Sequence, residues 1–263
     1  MVQLHFEYSK GNKMWNPKQY NKYFKQRNRP ALELIERIPD DSYNSIIDLG
    51  CGDGVITKLL MDKFKPTCIT GLDSSQSMLE KAKTLDSSIN WQLGSIEKFD
   101  GNYDLIFSNA ALQWIDNHNT LFNQLISQAN FGIAIQMPNN FNEPSHVLIR
   151  ETILESPKFK QKLISTIREA PVLNKSDYYK LLSNQANYID IWETEYLQQL
   201  DGENAVLEWV KGTALVPIRE RLNLDEYLEF ESIYGDKLAT VYKPVNGNVT
   251  LFPFKRIFII ATK

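Results

Sequence analysis

The residues with the strongest chemical content lie in Ile46-Ile47-Asp48-Leu49-Gly50-Cys51-Gly52-Asp53-Gly54. A short apolar run ends at Asp48 and Leu49, three glycines follow at alternate positions, and 55–61 has the spacing of an amphipathic helix. Glycines let the chain turn tightly and let its backbone approach a ligand with no Cβ in the way. The helix start leaves N–H donors unpaired, which suits a nucleotide-like cofactor. The spacing departs from the dinucleotide fingerprint G-x-G-x-x-G: it is acid-x-G-x-G-x-G, with Asp48 as the acid. A second acid, Asp73, closes the next apolar run, 68–72, where a carboxylate can accept both ribose hydroxyls of an adenosine. The competing interpretation is an ordinary strand-to-helix turn with a helix cap at Ser74.

The elements that must position these residues follow from the pattern of apolar runs. Strands are expected at 45–49, 67–72, 89–93, 103–108 and 131–137, with helices at 54–63, 75–85 and 118–129 between them. This alternation predicts an α/β fold with a doubly wound, mostly parallel sheet of seven strands. Pro30 is placed to start a helix over 31–37. Beyond Pro138 the pattern becomes helical to about 187. A strand is expected over 188–196, helices over 203–213 and 224–242, and a closing strand over 256–261. The expected organisation is therefore 1–138 as an N-terminal helical segment plus cofactor half, 139–187 as a helical cap, and 188–263 as the last strands with inserted helices. Ligands of open α/β sheets sit outside the carboxyl ends of the strands, so a cap there would exclude water.

Bulk properties narrow the function. The 263 residues suffice for one large α/β domain, or a core with a smaller cap. The net charge is −3, from 29 basic and 32 acidic residues with no basic run, which argues against a nucleic-acid partner. Two cysteines occur, with no metal-ligand spacing: Cys51 reads as a small turn residue and Cys68 as core. The N-terminus lacks an apolar leader core and no apolar run reaches membrane-spanning length, so a cytoplasmic protein with no membrane partner is expected.

The acid-x-G-x-G-x-G loop resembles that of class I S-adenosylmethionine-dependent methyltransferases. That cofactor asks for backbone donors and shape around its methionine tail, an acid for its ribose, an apolar slot for adenine, and tolerance of a sulfonium. The resemblance assigns Asp48, Gly50, Cys51 and Gly52 to the first and Asp73 to the second, with Ser74 and Met78 flanking the adenosine. Ile96 can cover a face of the adenine, and Ser95 can bond its amino group. Methyltransferases of this class often carry Asp where Ser95 stands; a hydroxyl can also accept. Asn109, ending the fourth strand, points into the same crevice, with loop capping as its alternative role.

Other segments are similar to the trans-aconitate 2-methyltransferase family over nearly the whole chain. They are Trp15-Asn16-Pro17 with Tyr20, Phe24, Arg27, Arg29 and Pro30; Asn109-Ala110-Ala111-Leu112-Gln113-Trp114 with Asp116 and His118; and Ile135-Gln136-Met137-Pro138-Asn139-Asn140 with Glu143-Pro144 and His146. Asp190-Ile191-Trp192, Glu208-Trp209-Val210, Gly212-Thr213 and the ending Phe254, Arg256, Phe258 match as well. Lys255 departs, since a proline is expected before the arginine. The resemblance implies methyl-ester formation on a small tricarboxylate. Carboxylates are ionised at neutral pH, so no general base is required. Alignment and water exclusion carry the reaction, and can supply about 7–11 kcal/mol. The candidate partners of the substrate carboxylates are Arg27, Arg29, Arg150 and Arg256, with His146 as a further donor. Solvated helix-face charges are the alternative for Arg27 and Arg29. Among the aromatics Trp15, Tyr20, Trp114 and Trp209 could wall the site. Trp114 is the favoured one, because it lies just past a strand end, whereas Trp192 is expected to pack. The alternatives are a methyltransferase for the malonyl-acyl-carrier protein, a cofactor-binding module without turnover, and a nucleotide-dependent oxidoreductase, against which the glycine spacing argues.

Overall fold

The computed structural model describes residues 24–263 except 169, with side chains from residue 28 onward, 246 excepted. In chain order the helices are α1 Phe24–Arg37, α2 Val55–Phe64, α3 Gln76–Leu85, α4 His118–Gln128, α5 Pro144–Glu155, α6 Pro157–Leu163, α7 Lys175–Leu182, α8 Ala205–Lys211, α9 Val216–Arg219 and α10 Leu224–Val241. The strands are β1 Ser45–Leu49, β2 Cys68–Asp73, β3 Asn90–Leu93, β4 Tyr103–Asn109, β5 Ala129–Pro138, β6 Tyr188–Asp201, β7 Pro244–Asn246 and β8 Val249–Thr262. Seven strands run in the order β3-β2-β1-β4-β5-β8-β6, and β7 forms a hairpin with β8, a short eighth strand that the apolar pattern does not announce. Neighbours from β3 to β5 are parallel and β8 is antiparallel to β5. This is the doubly wound sheet that the alternation of elements predicts.

Among the described residues the chain forms two compact units. The larger holds residues 25–143, 168–198 and 252–263; the smaller holds Pro144–Ile167 and Gln199–Leu251. The segment 139–187 is thus divided between them. In the smaller unit α10 is set by a capping box, with Asn223 and Glu226 each bonding the other's backbone N–H. Lys237 pairs there with Glu155, and the Tyr234 hydroxyl donates to the Ser145 carbonyl at 2.7 Å. Trp209 is buried in this unit as core.

In the larger unit the alternation along each strand divides the core between two faces. Ile47, Leu49, Ile106, Ile133, Ile135 and Ile257 meet α4 and α7 on one face. Ile46, Phe107, Ala134, Phe258 and Ile260 meet Leu34, Ile35 and Leu60 of α1 and α2 on the other. Burial of Ala31, Leu34 and Ile35 carries α1 through Pro30, so the helix does not start at that proline but already includes Phe24. Glu33 fixes α1 to β6. Its carboxylate accepts from Trp192 Nε1 (3.0 Å), Thr194 Oγ1 (2.9 Å) and Tyr196 Oη (2.5 Å), alternate residues on one strand face. Burial alone would raise the Glu33 carboxyl, but the three donors outweigh it and hold it below its ordinary value. Trp192 stacks on Phe258 with centroids 4.7 Å apart, the packing role expected of it.

Two local expectations are corrected. The cap of α3 is Ser75, whose hydroxyl accepts from Met78 N, and Ser74 is exposed. Cys68 is exposed rather than core, because it opens β2 and burial starts one residue later, at Ile69. Trp91 of β3 explains two glycines. A Cβ on Gly71 would lie 2.4 Å from its ring, and one on Gly54 2.5 Å. Gly71→Ala should therefore cost about 1–3 kcal/mol of stability by overpacking, measured by denaturant unfolding. Combined with Trp91→Leu it should cost less than the sum of the two single changes; strict additivity would mean that the ring is not the obstacle.

Candidate functional site

The larger unit gathers most of the predicted cofactor residues at the carboxyl ends of β1, β2 and β4. Gly50, Gly52 and Gly54 adopt left-handed backbone with φ of 77°, 56° and 82°, a region costly for residues bearing a Cβ. The loop is tied to the end of β2. The Gly50 and Cys51 N–H groups donate to the Leu72 carbonyl at 2.8 and 3.1 Å. Asp73 completes the link, with Oδ2 accepting from Gly52 N (2.9 Å) and Oδ1 from Ser75 N (2.8 Å). Each carboxylate oxygen can accept twice, so both keep an acceptor site for ribose hydroxyls. At Gly52 a Cβ would meet nothing within 4 Å, so this face of the loop is open. At Gly50 a Cβ would fall 2.3 Å from the Ala111 Cβ, so the glycine loop and the loop after β4 pack backbone against side chain.

Asp48 occupies a different layer. It is 2% exposed, and Oδ2 accepts from the buried Thr57 hydroxyl at 2.6 Å, joining β1 to α2 beneath the loop. Burial pushes its carboxyl up to about 7; the charge of Asp73 adds to the rise and the Thr57 bond opposes it. Cys51 is buried too, and burial, then Asp48 and Asp73, push its thiol well above the ordinary range, which leaves it without thiolate character. Ile96 is buried near Gly50, Ser95 precedes it partly buried, and Met78 is partly buried on α3.

The loop after β4 carries more than its sequence suggests. Asn109 has a buried Oδ1 with no hydrogen-bond partner, an orphan acceptor at the strand end. Ala110 is left-handed with φ 54°, strained for a residue with a Cβ, and its N–H donates to Gln136 O at 2.9 Å. Gln113 is buried and donates from Nε2 to Ala110 O at 2.7 Å, while Trp114, 49% exposed, stands at the surface of the turn.

Arg256 is 6% exposed and pairs in register with Pro138, the last residue of β5. Its Nη1 donates to Gln136 Oε1 at 3.4 Å, and its guanidinium lies 4.7 Å from the Phe254 ring centroid. Gln136 faces Asn109 across β4 and β5, so Asn109, Gln136 and Arg256 share one face at the carboxyl end of the sheet. Gln136 is fully buried, and its Nε2 has no partner. Gln136, part of the family-like motif 135–140, gains a role only from this geometry, and Trp91 carries no signal in the sequence; a polar residue within the apolar run 133–137 is the signal for the first.

Arg29 is exposed, with its guanidinium 5.0 Å from the Tyr196 ring centroid. His146 and Arg150 are partly buried on α5 of the smaller unit, four residues apart on one helix. Trp15, Tyr20 and the Arg27 side chain lie outside the described residues. Among the described residues no cluster of three or more His, Cys, Asp or Glu could hold a metal, and no helix is long and apolar enough to cross a membrane.

A mostly parallel sheet with a glycine loop on its first strand and an acid ending its second is the arrangement that a nucleoside cofactor of the methyltransferase kind calls for. A family profile described as a methyltransferase domain matches residues 40–205. The YcgJ protein of Bacillus subtilis has the same fold, with a TM-score of 0.59 at 12% identity, covering 90% of this chain and 98% of that one. Trans-aconitate 2-methyltransferase of Azoarcus sp. (strain BH72) is 36% identical over 95% of this chain and 99% of its own length. The Rhizobium meliloti (strain 1021) protein of the same name is 35% identical over 95% and 98%. The chain belongs to the trans-aconitate 2-methyltransferase family.

The raised Asp48 carboxyl has a measurable consequence. A carboxyl whose folded pKa exceeds its unfolded value, near 3.9, favours folding fully below that unfolded value, and this contribution is lost as pH rises through about 7. Asp48→Asn should gain stability relative to the native protein as pH goes from 4 to 8. Parallel unfolding curves at pH 5 and pH 8 would rule out the assignment.

Proposed function

We propose that the protein transfers a methyl group from S-adenosylmethionine to a carboxylate of trans-aconitate, giving a methyl ester. The observation that carries the acceptor class is the buried Arg256 guanidinium, on the same sheet face and at the same end as Asn109. A tricarboxylate needs a desolvated cationic partner, and a guanidinium fork fits a carboxylate. The names of the full-length relatives support the same acceptor. None of the relatives named above is a carrier-protein methyltransferase, and the glycine spacing speaks against an oxidoreductase.

The residues fit the cofactor. The open face at Gly52 admits close backbone approach, the remaining acceptor sites of Asp73 suit the ribose hydroxyls, and the orphan Asn109 Oδ1 suits an ammonium donor. Ile96 and Met78 offer apolar cover, and Ser95 a hydroxyl. When bound, S-adenosylmethionine supplies an electrophilic methyl group on a sulfonium. The chain's own contribution is orientation. Arg256 fixes a carboxylate, the half-exposed Trp114 ring tolerates a neighbouring cation, and the Cys51 thiol, held protonated, does not compete as a nucleophile. No group has to remove a proton, because the acceptor is ionised already.

Methyl transfer from labelled S-adenosylmethionine tests this, with trans-aconitate, malonyl-acyl-carrier protein, cis-aconitate and citrate as parallel acceptors. Ester formation on trans-aconitate is expected; transfer to the carrier protein alone would overturn the acceptor. Asp73→Ala should weaken S-adenosylhomocysteine binding by about 1–3 kcal/mol in calorimetry, the scale of lost charge-assisted hydrogen bonds. Arg256→Ala should raise the KM for trans-aconitate far more than that for the cofactor, whereas equal effects would make it a structural arginine.

A further inference from the structure

The turn Leu112–Trp114 is held by a hydrogen-bonded relay from a distant part of the sequence. His118 Nε2 lies 2.9 Å from the Leu112 carbonyl oxygen. A carbonyl only accepts, so Nε2 carries a ring proton, and in the neutral imidazole Nδ1 is then the acceptor. Nδ1 lies 2.5 Å from Tyr178 Oη, which therefore donates to it. The same Oη accepts from Leu173 N at 3.2 Å. The bonds thus run in one direction, from Leu173 N–H through the Tyr178 hydroxyl and the His118 imidazole to Leu112 C=O. His118 is 2% exposed, Tyr178 is fully buried, and burial holds the imidazole below its ordinary pKa, in the neutral form this pattern requires.

Each end of the relay matters. Tyr178 lies on α7 and its ring packs on Phe122 of α4, with centroids 4.6 Å apart. Leu112 opens the turn that carries Gln113 and Trp114, and it follows Ala111, whose Cβ fills the space that the missing Cβ of Gly50 leaves. A shift of the turn therefore reaches the glycine loop on one side and Trp114 on the other. Packing alone would need no ordered donor direction, and phenylalanine at 178 would serve it equally well.

We propose that His118 and Tyr178 are positioning residues for methyl transfer, fixing the Leu112–Trp114 turn and through it the alignment of the acceptor with the cofactor loop. The inference rests on the site reading above, and the relay itself takes no part in chemistry. Its cost when broken follows from alignment: a misplacement of about 1 Å can slow a reaction by ~10²-fold.

The test uses Tyr178→Phe, which keeps the ring and deletes the hydroxyl, with bound S-adenosylhomocysteine. Nitrogen-15 NMR of the native protein should show His118 as the Nε2–H tautomer, and Tyr178→Phe, which removes the donor to Nδ1, should shift the Nδ1 resonance and move the Trp114 indole resonance. In the labelled assay kcat should fall roughly 10–100-fold, with S-adenosylhomocysteine affinity within about threefold. His118→Gln keeps a donor at the Nε2 position and should retain far more kcat than His118→Leu, which guards against a folding failure in any one variant. An unmoved Trp114 resonance, or an unchanged kcat once the Nδ1 bond is lost, would overturn the proposal. A native protein that leaves trans-aconitate unmethylated while Trp114 still moves in Tyr178→Phe would overturn the acceptor and leave the positioning role standing.

Discussion

The site depends on one carboxylate. Asp73 ends β2, yet its two oxygens hold the Gly52 N–H of the preceding strand's loop and the Ser75 N–H that opens α3. Charge-assisted bonds of this kind are shorter and stronger than neutral ones. They fix the loop that takes left-handed backbone at three positions, and they do so with the group proposed to meet the ribose. The glycine loop and the acid proposed for the ribose are thus a single bonded unit.

Beneath and beside this unit the molecule has traded ease of folding for fixed shape. Asp48 is buried where its charge is disfavoured, and Ala110 holds a backbone conformation that glycine would adopt more readily. Both sit within a residue or two of a strand end at the cofactor side of the sheet, where such costs are characteristic of binding sites. The arginine end is built differently. Arg256 and Gln136 lie on the closing antiparallel pair, so the last strand of the chain brings its guanidinium to the end of the sheet that the first strands define.

Much of this was legible in the sequence. Short apolar runs and glycine punctuation place β1 to β5, and the acids at 48 and 73 fall at strand ends in the structure as well, because buried parallel strands leave few ways to write such runs. Family motifs pointed to Arg256 and Trp114. What the sequence hid depends on tertiary contact. Pro30 looked like a helix start because its missing N–H is a local signal, whereas the packing that carries α1 through it is not. Cys68 looked like core because its apolar neighbours gave no hint that it opens the strand. Trp91 stands in an unremarkable run, and Gln136 in a motif that assigns it no role; both become meaningful only when a glycine's missing Cβ or a neighbouring strand's register is known. His118 stands in a family motif, but its partner, Tyr178, is sixty residues away.

The contact between Gly50 and Ala111 carries an evolutionary consequence. The two positions share one methyl group's worth of space: the Ala111 Cβ takes it, and no second Cβ can enter. Drift at either position is therefore gated by the other. Gly50 has no smaller replacement, and Ala111 has only glycine below it, which would empty the space and loosen the turn. The pair sits near a dead end of its substitution network. New acceptor specificities within this lineage should consequently arise at residues further from the glycine loop, and this junction should change last.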